Sequence, residues 1–191
     1  MSPNSDVVRG TISSAAFAGQ QFVIGCWSSS PVGPIGDVMW SLPDGTRRLL
    51  TSSEREADFI CQIYEFDEVC IAPLDVLSDG LVTTVSSREL SLELRGGFAW
   101  RLPPRPLWVT RWIESPVAKA LMGVETYGIS PRGRREWYQA SSCRWVKTAH
   151  AKVNGAELGE PQRFGGPMNV GFSNPPKRPS IVSLSVTIRT G

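Results

Sequence analysis

Eighteen glycines and fifteen prolines recur as punctuation between short runs whose hydrophobicity alternates with a period of two. Val38, Trp40 and Leu42 alternate with polar partners, Leu90, Leu92 and Leu94 with Glu89, Ser91 and Glu93, and Val182, Leu184, Val186 and Ile188 with Ser183, Ser185 and Thr187. Such alternation is the mark of strands buried on one face. Pro43-Asp44-Gly45, Asp79-Gly80 and Asn154-Gly155 supply the turns between them. About nine or ten strands in one chain leave too many open edges unless the sheet curls or closes. The expected fold is therefore mainly β: one antiparallel β-barrel or half-barrel with two short helices. Ser53 and Glu56 have the spacing of a capping box, which predicts a helix over about residues 53–64. Ser115 as N-cap, Pro116 in the first turn and Gly123 as stop predict the second, over about 116–122. The long alternation after it reads as a meander, with a separate strand from Cys143 to Val153. At 191 residues and 41% hydrophobic content the chain suits one core, so 1–191 is read as a single domain, with a flexible polar N-terminus over 1–10.

Twenty basic and eighteen acidic side chains nearly cancel, and the net charge of +2 gives no footprint for nucleic acid. No leader-like or membrane-length apolar stretch is present, so a cytoplasmic protein without a membrane partner is expected. The four cysteines lack metal or redox spacing and read as small, mostly buried thiols, and a single histidine leaves no ligand set for zinc or iron. No metal and no cofactor are expected.

Chemistry is densest from Tyr127 to Tyr138, where a Ser-Pro-Arg-Gly turn joins two extended segments rich in arginine and aromatic rings. Strand parity divides this hairpin. Arg135 and Trp137 share one face, where a guanidinium beside an indole suits a carboxylate ligand. Glu136 and Tyr138 share the other, where a carboxyl and a phenol suit proton transfer. Only one of these faces can look inward. Trp40, Tyr127, Arg135, Trp137 and Trp145 are the candidate ligand-binding residues, and Glu136, Tyr138 and Lys147 the candidate catalytic ones. Asp37 and His150 complete the groups able to move a proton, His150 on a mostly polar face. Neither a nucleophile elbow nor a phosphate or dinucleotide loop is present.

Three resemblances accompany these residues. Ser30-Pro31-Val32-Gly33-Pro34, Asp37-Val38-Met39, Arg134-Arg135-Glu136-Trp137-Tyr138 and Gly171-Phe172-Ser173-x-Pro175-Pro176 resemble segments of a family of small uncharacterised bacterial proteins, which brings no function with it. Gly25-Cys26-Trp27, with Arg189 on the last strand, resembles the lipocalin and fatty-acid-binding barrels, which implies a tryptophan packed on an arginine at the end of a barrel. The stretch Pro31 to Pro34 before Asp37 resembles acetoacetate decarboxylase-like proteins, which implies a β fold with a Schiff-base lysine. Of Lys119, Lys147, Lys152 and Lys177, Lys119 sits among apolar residues of the short helix and Lys147 shares a strand parity with Trp145 and Ala149; Lys147 is the candidate for an inward position, against the plainer reading in which both reach solvent.

The favoured function is binding of a small hydrophobic or carboxylate-bearing molecule in the barrel. The alternatives are a cofactor-independent lyase, isomerase or cyclase in the same cavity, and a protein-interaction module using the proline-rich loops at Pro103 to Pro106 and Pro175 to Pro179.

Overall fold

A computed structural model describes residues 5–190 as strands of one curled sheet and two helical segments that lie against it. In chain order these are β1 (Ser5–Phe17), β2 (Gln20–Ser29), β3 (Ile35–Ser41), β4 (Arg47–Thr51), α1 (Glu54–Cys61), β5 (Glu68–Ile71), β6 (Leu74–Ser78), β7 (Val82–Ser87) and β8 (Leu90–Arg101). A second helical segment follows, made of α2 (Leu107–Val109), a π-helical turn (Thr110–Glu114) and α3 (Ser115–Met122). The remaining strands are β9 (Tyr127–Ile129), β10 (Arg134–Val153), β11 (Ala156–Glu157), β12 (Pro161–Gln162) and β13 (Ser180–Thr190). The sheet runs β5-β4-β3-β2-β1-β13-β10-β8-β7-β6, and only the β4–β5 pair is parallel along that path. β13 sits in the middle of the sheet, between β1 and β10.

The sheet curls until β6 packs across β2 and β3. Gly36 permits this approach, since a Cβ there would lie 3.1 Å from the Val76 side chain. Inside the curl every long strand contributes to one packed core, with Phe17, Phe22, Ile24, Trp40, Leu50, Leu90, Leu92, Leu94 and Ile181 at its centre. The expected mainly-β half-barrel is thus present; its centre is filled by side chains, and an open hollow of about 640 Å³ remains where β6 meets β1, β2 and β13.

A second apolar layer covers the opposite face of the central strands. Ala16, Met39 and Leu49 meet Ala57 and Ile60 of α1 and Phe164, Met168 and Val170 of the loop before β13. Near-continuous burial along the second half of β1 follows from this two-sided packing. Helix α1 is fastened at its start: Ser53 Oγ accepts from the Glu56 amide at 3.3 Å. Glu56 does not close the reciprocal box. Its carboxylate accepts instead from Thr51 Oγ1 at 2.7 Å and from the Ser52 amide and hydroxyl at 3.1 and 2.8 Å, tying α1 to the end of β4.

Several expectations are corrected. Residues 5–10, expected to be flexible, ladder with β13 from Ser5↔Arg189 to Gly10↔Leu184, while 1–4 lie outside the described residues. The helix expected over 116–122 is present as α3, with Pro116 in its first turn and its stop at Gly123, φ 71°, but Ser115 does not cap it, because the helical segment already starts at Leu107. No turn separates the segment before Cys143 from the one after it. β10 runs unbroken for 20 residues, because extra residues between Ala140 and Ser142 and between Arg144 and Thr148 are absorbed as bulges. Asn154 and Gly155, both with positive φ, end it in the expected tight hairpin.

Candidate functional site

The bulge at Ser141 decides which side chains of β10 meet. Before it the even residues Tyr138 and Ala140 face the second layer, and after it the odd residues Cys143 and Trp145 do. Together with Ile12, Ser14, Val23, Gly25, Asp37 and Val182 from the neighbouring strands, they line a cavity of about 610 Å³ on the outer face of the half-barrel. Its cover is the loop carrying Met168 to Pro176, Tyr64 just after α1, and the helical segment through Glu114, Val117 and Ala118. Arg105 holds that cover down. Its guanidinium forms a two-pronged pair with Glu114 and donates to the Ala140 carbonyl at 2.8 Å, while Gln139 Nε2 donates to the Arg105 carbonyl at 2.7 Å.

The lining is mostly apolar, and two acidic clusters mark its floor. Asp37 is 1% exposed; its Oδ1 accepts from Trp27 Nε1 at 2.9 Å, and its Oδ2 has no partner among the described residues. Burial raises this carboxyl to about 7, against the lowering effect of the Trp27 bond and with a further push from the Glu56 charge. Gly25 stands beside it on β2, paired with Asp37 across the ladder. Only a glycine leaves room there for the Trp27–Asp37 bond.

The second cluster is a triangle of oxygens. Tyr64 and Tyr138 each donate to Glu136 Oε2 at 3.0 Å, and their hydroxyls also touch each other. Three contacts need three protons, and the two phenols supply only two, so the triangle closes fully when Glu136 is protonated. Burial agrees, lifting Glu136 to about 7 against the lowering effects of both tyrosine bonds and the Arg134 charge. Both phenols are raised well above their ordinary value, first by burial and then by the Glu136 charge. Asp37 adds to the rise at Tyr138, which places the two clusters within electrostatic reach of each other. Glu136 itself does not line the cavity; it lies behind Tyr64 and Tyr138 and holds them.

The structure thereby chooses between the two faces of the hairpin. Glu136 and Tyr138 point to the buried side. Arg135 is exposed, and Trp137 packs on the other side of the sheet in a stack that runs from Arg111 over Tyr127, Tyr127 against Trp137 at 5.1 Å, and Arg189 over Trp137. That stack pins the helical segment to β9 and β10; none of Tyr127, Arg135 and Trp137 lines the cavity. Trp40 lies in the barrel core against Phe22, its indole N–H donating to Gln20, and also stays outside. Of the five candidate binding residues only Trp145 is in the wall. Lys147 is exposed, because the bulges around Val146 put Trp145 toward the cavity, Ala149 into the barrel core and Lys147 into solvent over Gly97. Lys119, Lys152 and Lys177 are exposed as well, so none of the four lysines is placed for Schiff-base chemistry in this cavity. His150 is exposed. Trp27 and Arg189 project from opposite faces of the sheet, so the contact implied by the lipocalin resemblance is not made.

Tyr64 was not legible as a site residue, and Gly25 and Trp27 stood out only for a packing on Arg189, not for a place beside Asp37. Tyr64 reads as one more apolar position of a helix, and its partner Tyr138 is 74 residues away. Asp37 carried a usable signal, being the lone acid on a strand that also carries Ile35, Val38, Met39 and Trp40. Among the described residues no group of three or more His, Cys, Asp or Glu side chains converges to hold a metal ion, and no helix is long and apolar enough to cross a membrane.

No known protein family matches the chain, and no curated protein matches it. Two solved structures are similar over nearly its whole length. An acetoacetate decarboxylase from Legionella pneumophila subsp. pneumophila str. Philadelphia 1 aligns with a TM-score of 0.44 and 6% identity over 98% of this chain and 85% of that one. A second acetoacetate decarboxylase structure aligns with a TM-score of 0.45 and 10% identity over 99% and 87%.

Proposed function

We propose that this protein binds a small, largely apolar molecule in the cavity on the outer face of the half-barrel, with a neutral oxygen of that molecule seated between Asp37 and the Tyr64–Tyr138 pair. The observation that carries this reading is the unpartnered Oδ2 of a buried Asp37 beside a mostly apolar chamber. A buried polar atom without a partner costs about 1–3 kcal/mol, which a ligand hydroxyl or carbonyl recovers. Acids and phenols at the floor favour a neutral head group; a ligand carboxylate would face Asp37 without a cation beside it, since Arg135 is on the far side and Arg101 is exposed at the rim.

Of the seven tryptophans, Trp27, Trp100 and Trp145 line the chamber and report its occupancy. Titration with a medium-chain methyl ketone or the matching alcohol should change their fluorescence saturably, and the fatty acid of equal chain length should bind roughly tenfold or more weakly. Ala140→Trp, which fills the chamber from β10, should remove the response to all three. Equal binding of the fatty acid and the ketone would overturn the head-group assignment, and saturable binding by the filled variant would overturn the location.

A second reading is favoured by the pair of carboxyls raised to about 7 near one chamber. A group that titrates near neutrality both takes and returns a proton readily. With an enolisable ketone bound, ionised Asp37 accepts the α-proton while one tyrosine O–H turns from the triangle to donate a hydrogen bond to the carbonyl oxygen; return of the proton restores the ketone. Solvent deuterium should then enter the α-position in the presence of the protein, and Asp37→Asn should slow this by roughly a hundredfold or more. Exchange at the same rate in the variant, with binding retained, leaves binding as the sole function of the cavity.

A further inference from the structure

The rim of the cavity is unlike the rest of the surface. Seven of the twelve large hydrophobic side chains exposed among the described residues fall between Phe98 and Val117. Phe98 is 78% exposed, Trp100 64%, Trp108 61% and Trp112 67%. Trp100, Leu102 and Val117 belong both to this exposed set and to the cavity lining, so the apolar surface is continuous with the chamber mouth. Exposed apolar surface of this kind marks a place of contact.

Charge narrows the identity of what it contacts. From Arg95 to Lys119 the chain carries five cations and one carboxylate, Glu114, which is engaged by Arg105. The stretch is therefore +4 in a chain whose total is +2. Arg95, Arg101 and Arg111 are exposed, Arg111 over Trp112 at 4.8 Å, while the exposed Lys119 pairs with Glu125 just beyond the stretch. Near-neutrality of the whole sequence concealed this local excess. A second copy of the chain applied face to face would set the same cations against one another. A bilayer with anionic headgroups meets both demands at once, taking indole and phenyl rings at the headgroup level and the guanidinium and ammonium groups at its charged surface.

We propose that the surface from Phe98 to Lys119 docks this protein onto an anionic lipid surface, with the mouth of the apolar chamber turned toward the bilayer. Docking of this kind is peripheral. It puts the chamber where a lipid-dissolved apolar molecule can enter without crossing water, and it stands on the surface itself, whatever the chamber binds.

The test is flotation of the full chain with vesicles of phosphatidylcholine alone or with about a third phosphatidylglycerol, the latter carrying the surface potential that attracts basic segments. Flotation with the anionic vesicles, roughly tenfold weaker with neutral vesicles and at high salt, is the expected result. Trp108→Ser combined with Trp112→Ser, two positions outside the chamber lining, should lose flotation by a similar factor while keeping the thermal transition and the ketone titration of the parent. Absence of flotation by the folded parent overturns the proposal, as does full flotation by the folded double variant. Concentration-dependent self-association in light scattering that the double variant abolishes would also overturn it, by making the surface an interface between copies. Failure of the ketone titration with flotation intact would count against the chamber reading alone.

Discussion

Thermal stability should fall as pH rises from about 5 to 8, the reverse of the acid sensitivity common in proteins whose carboxylates are salt-bridged. Asp37 and Glu136 are both raised to about 7 from ordinary carboxyl values, mainly by burial. Between the unfolded value near 4 and the folded value near 7, the native state retains a proton that the unfolded chain has released. More protons bound in the native state means that stability decreases with pH across that window. The contribution is complete below about 4, lost progressively up to about 7, and flat above it, at on the order of 1 kcal/mol per pH unit for each carboxyl. A fall in Tm of roughly 10 °C between pH 5 and 8 is expected for a chain of this size. Asp37→Asn keeps an oxygen for the Trp27 N–H and removes one titration; Glu136→Gln keeps an acceptor for both phenols and removes the other. Each should be more stable than the parent at pH 8, match it only near pH 4 and show about half its pH slope between, and the double variant should be nearly flat. Melting curves across this range decide the matter, and a parent Tm that is constant or rises with pH would sink it. The Arg47–Asp67 pair does not confuse the readout, because Asp67 is lowered to about 2 and its contribution is lost only as pH falls below about 4.

The second large effect is expected at Gly25. A Cβ built on it would stand 2.2 Å from Asp37 Oδ1 and 2.4 Å from Trp27 Nε1, the two atoms of the one bond that Asp37 makes. Neither side chain can yield without breaking that bond, since Asp37 is paired opposite Gly25 on β3 and Trp27 is two residues along the same strand. Gly25→Ala should therefore cost about 2–4 kcal/mol from overpacking and a stranded buried carboxyl, or roughly 5–15 °C in Tm, and should abolish ketone binding. Gly166→Ala, where nothing lies within 4 Å of the added methyl, is the matched control and should be nearly silent. Because the clash is with Asp37 itself, the cost of Gly25→Ala should shrink when Asp37→Ala is already present. Additive costs in that double-mutant cycle would mean the glycine is needed for some reason other than this bond.

The short range of strand physics accounts for what was legible. Alternation of Leu90, Leu92 and Leu94 or Val182 to Ile188, the turn at Asn154-Gly155, the Ser53 cap and the stop at Gly123 are decided by residues within a few positions of one another, and each stands where its local pattern put it. Parity also split the hairpin correctly into an Arg135–Trp137 face and a Glu136–Tyr138 face. Parity carried past Ser141 misleads, because a bulge moves the inward set from even to odd residues, and a bulge depends on partners in β8 and β13 that a single strand does not reveal. Lys147 and Trp145 were separated in this way.

What the sequence by itself determined, then, is a curled antiparallel sheet with two helices and a hairpin that divides its chemistry between two faces. Tertiary structure alone decided that the centre of the curl is packed and that an apolar hollow lies on its other face, because β6 crosses onto β2 and β3 and the core residues of every long strand meet inside. It alone brought Tyr64 to Tyr138 and Glu136 across more than seventy positions, and set Trp27 on Asp37 beside a glycine. Local periodicity says which side chains share a face; only the closure of the sheet says which face is packed and which is left open.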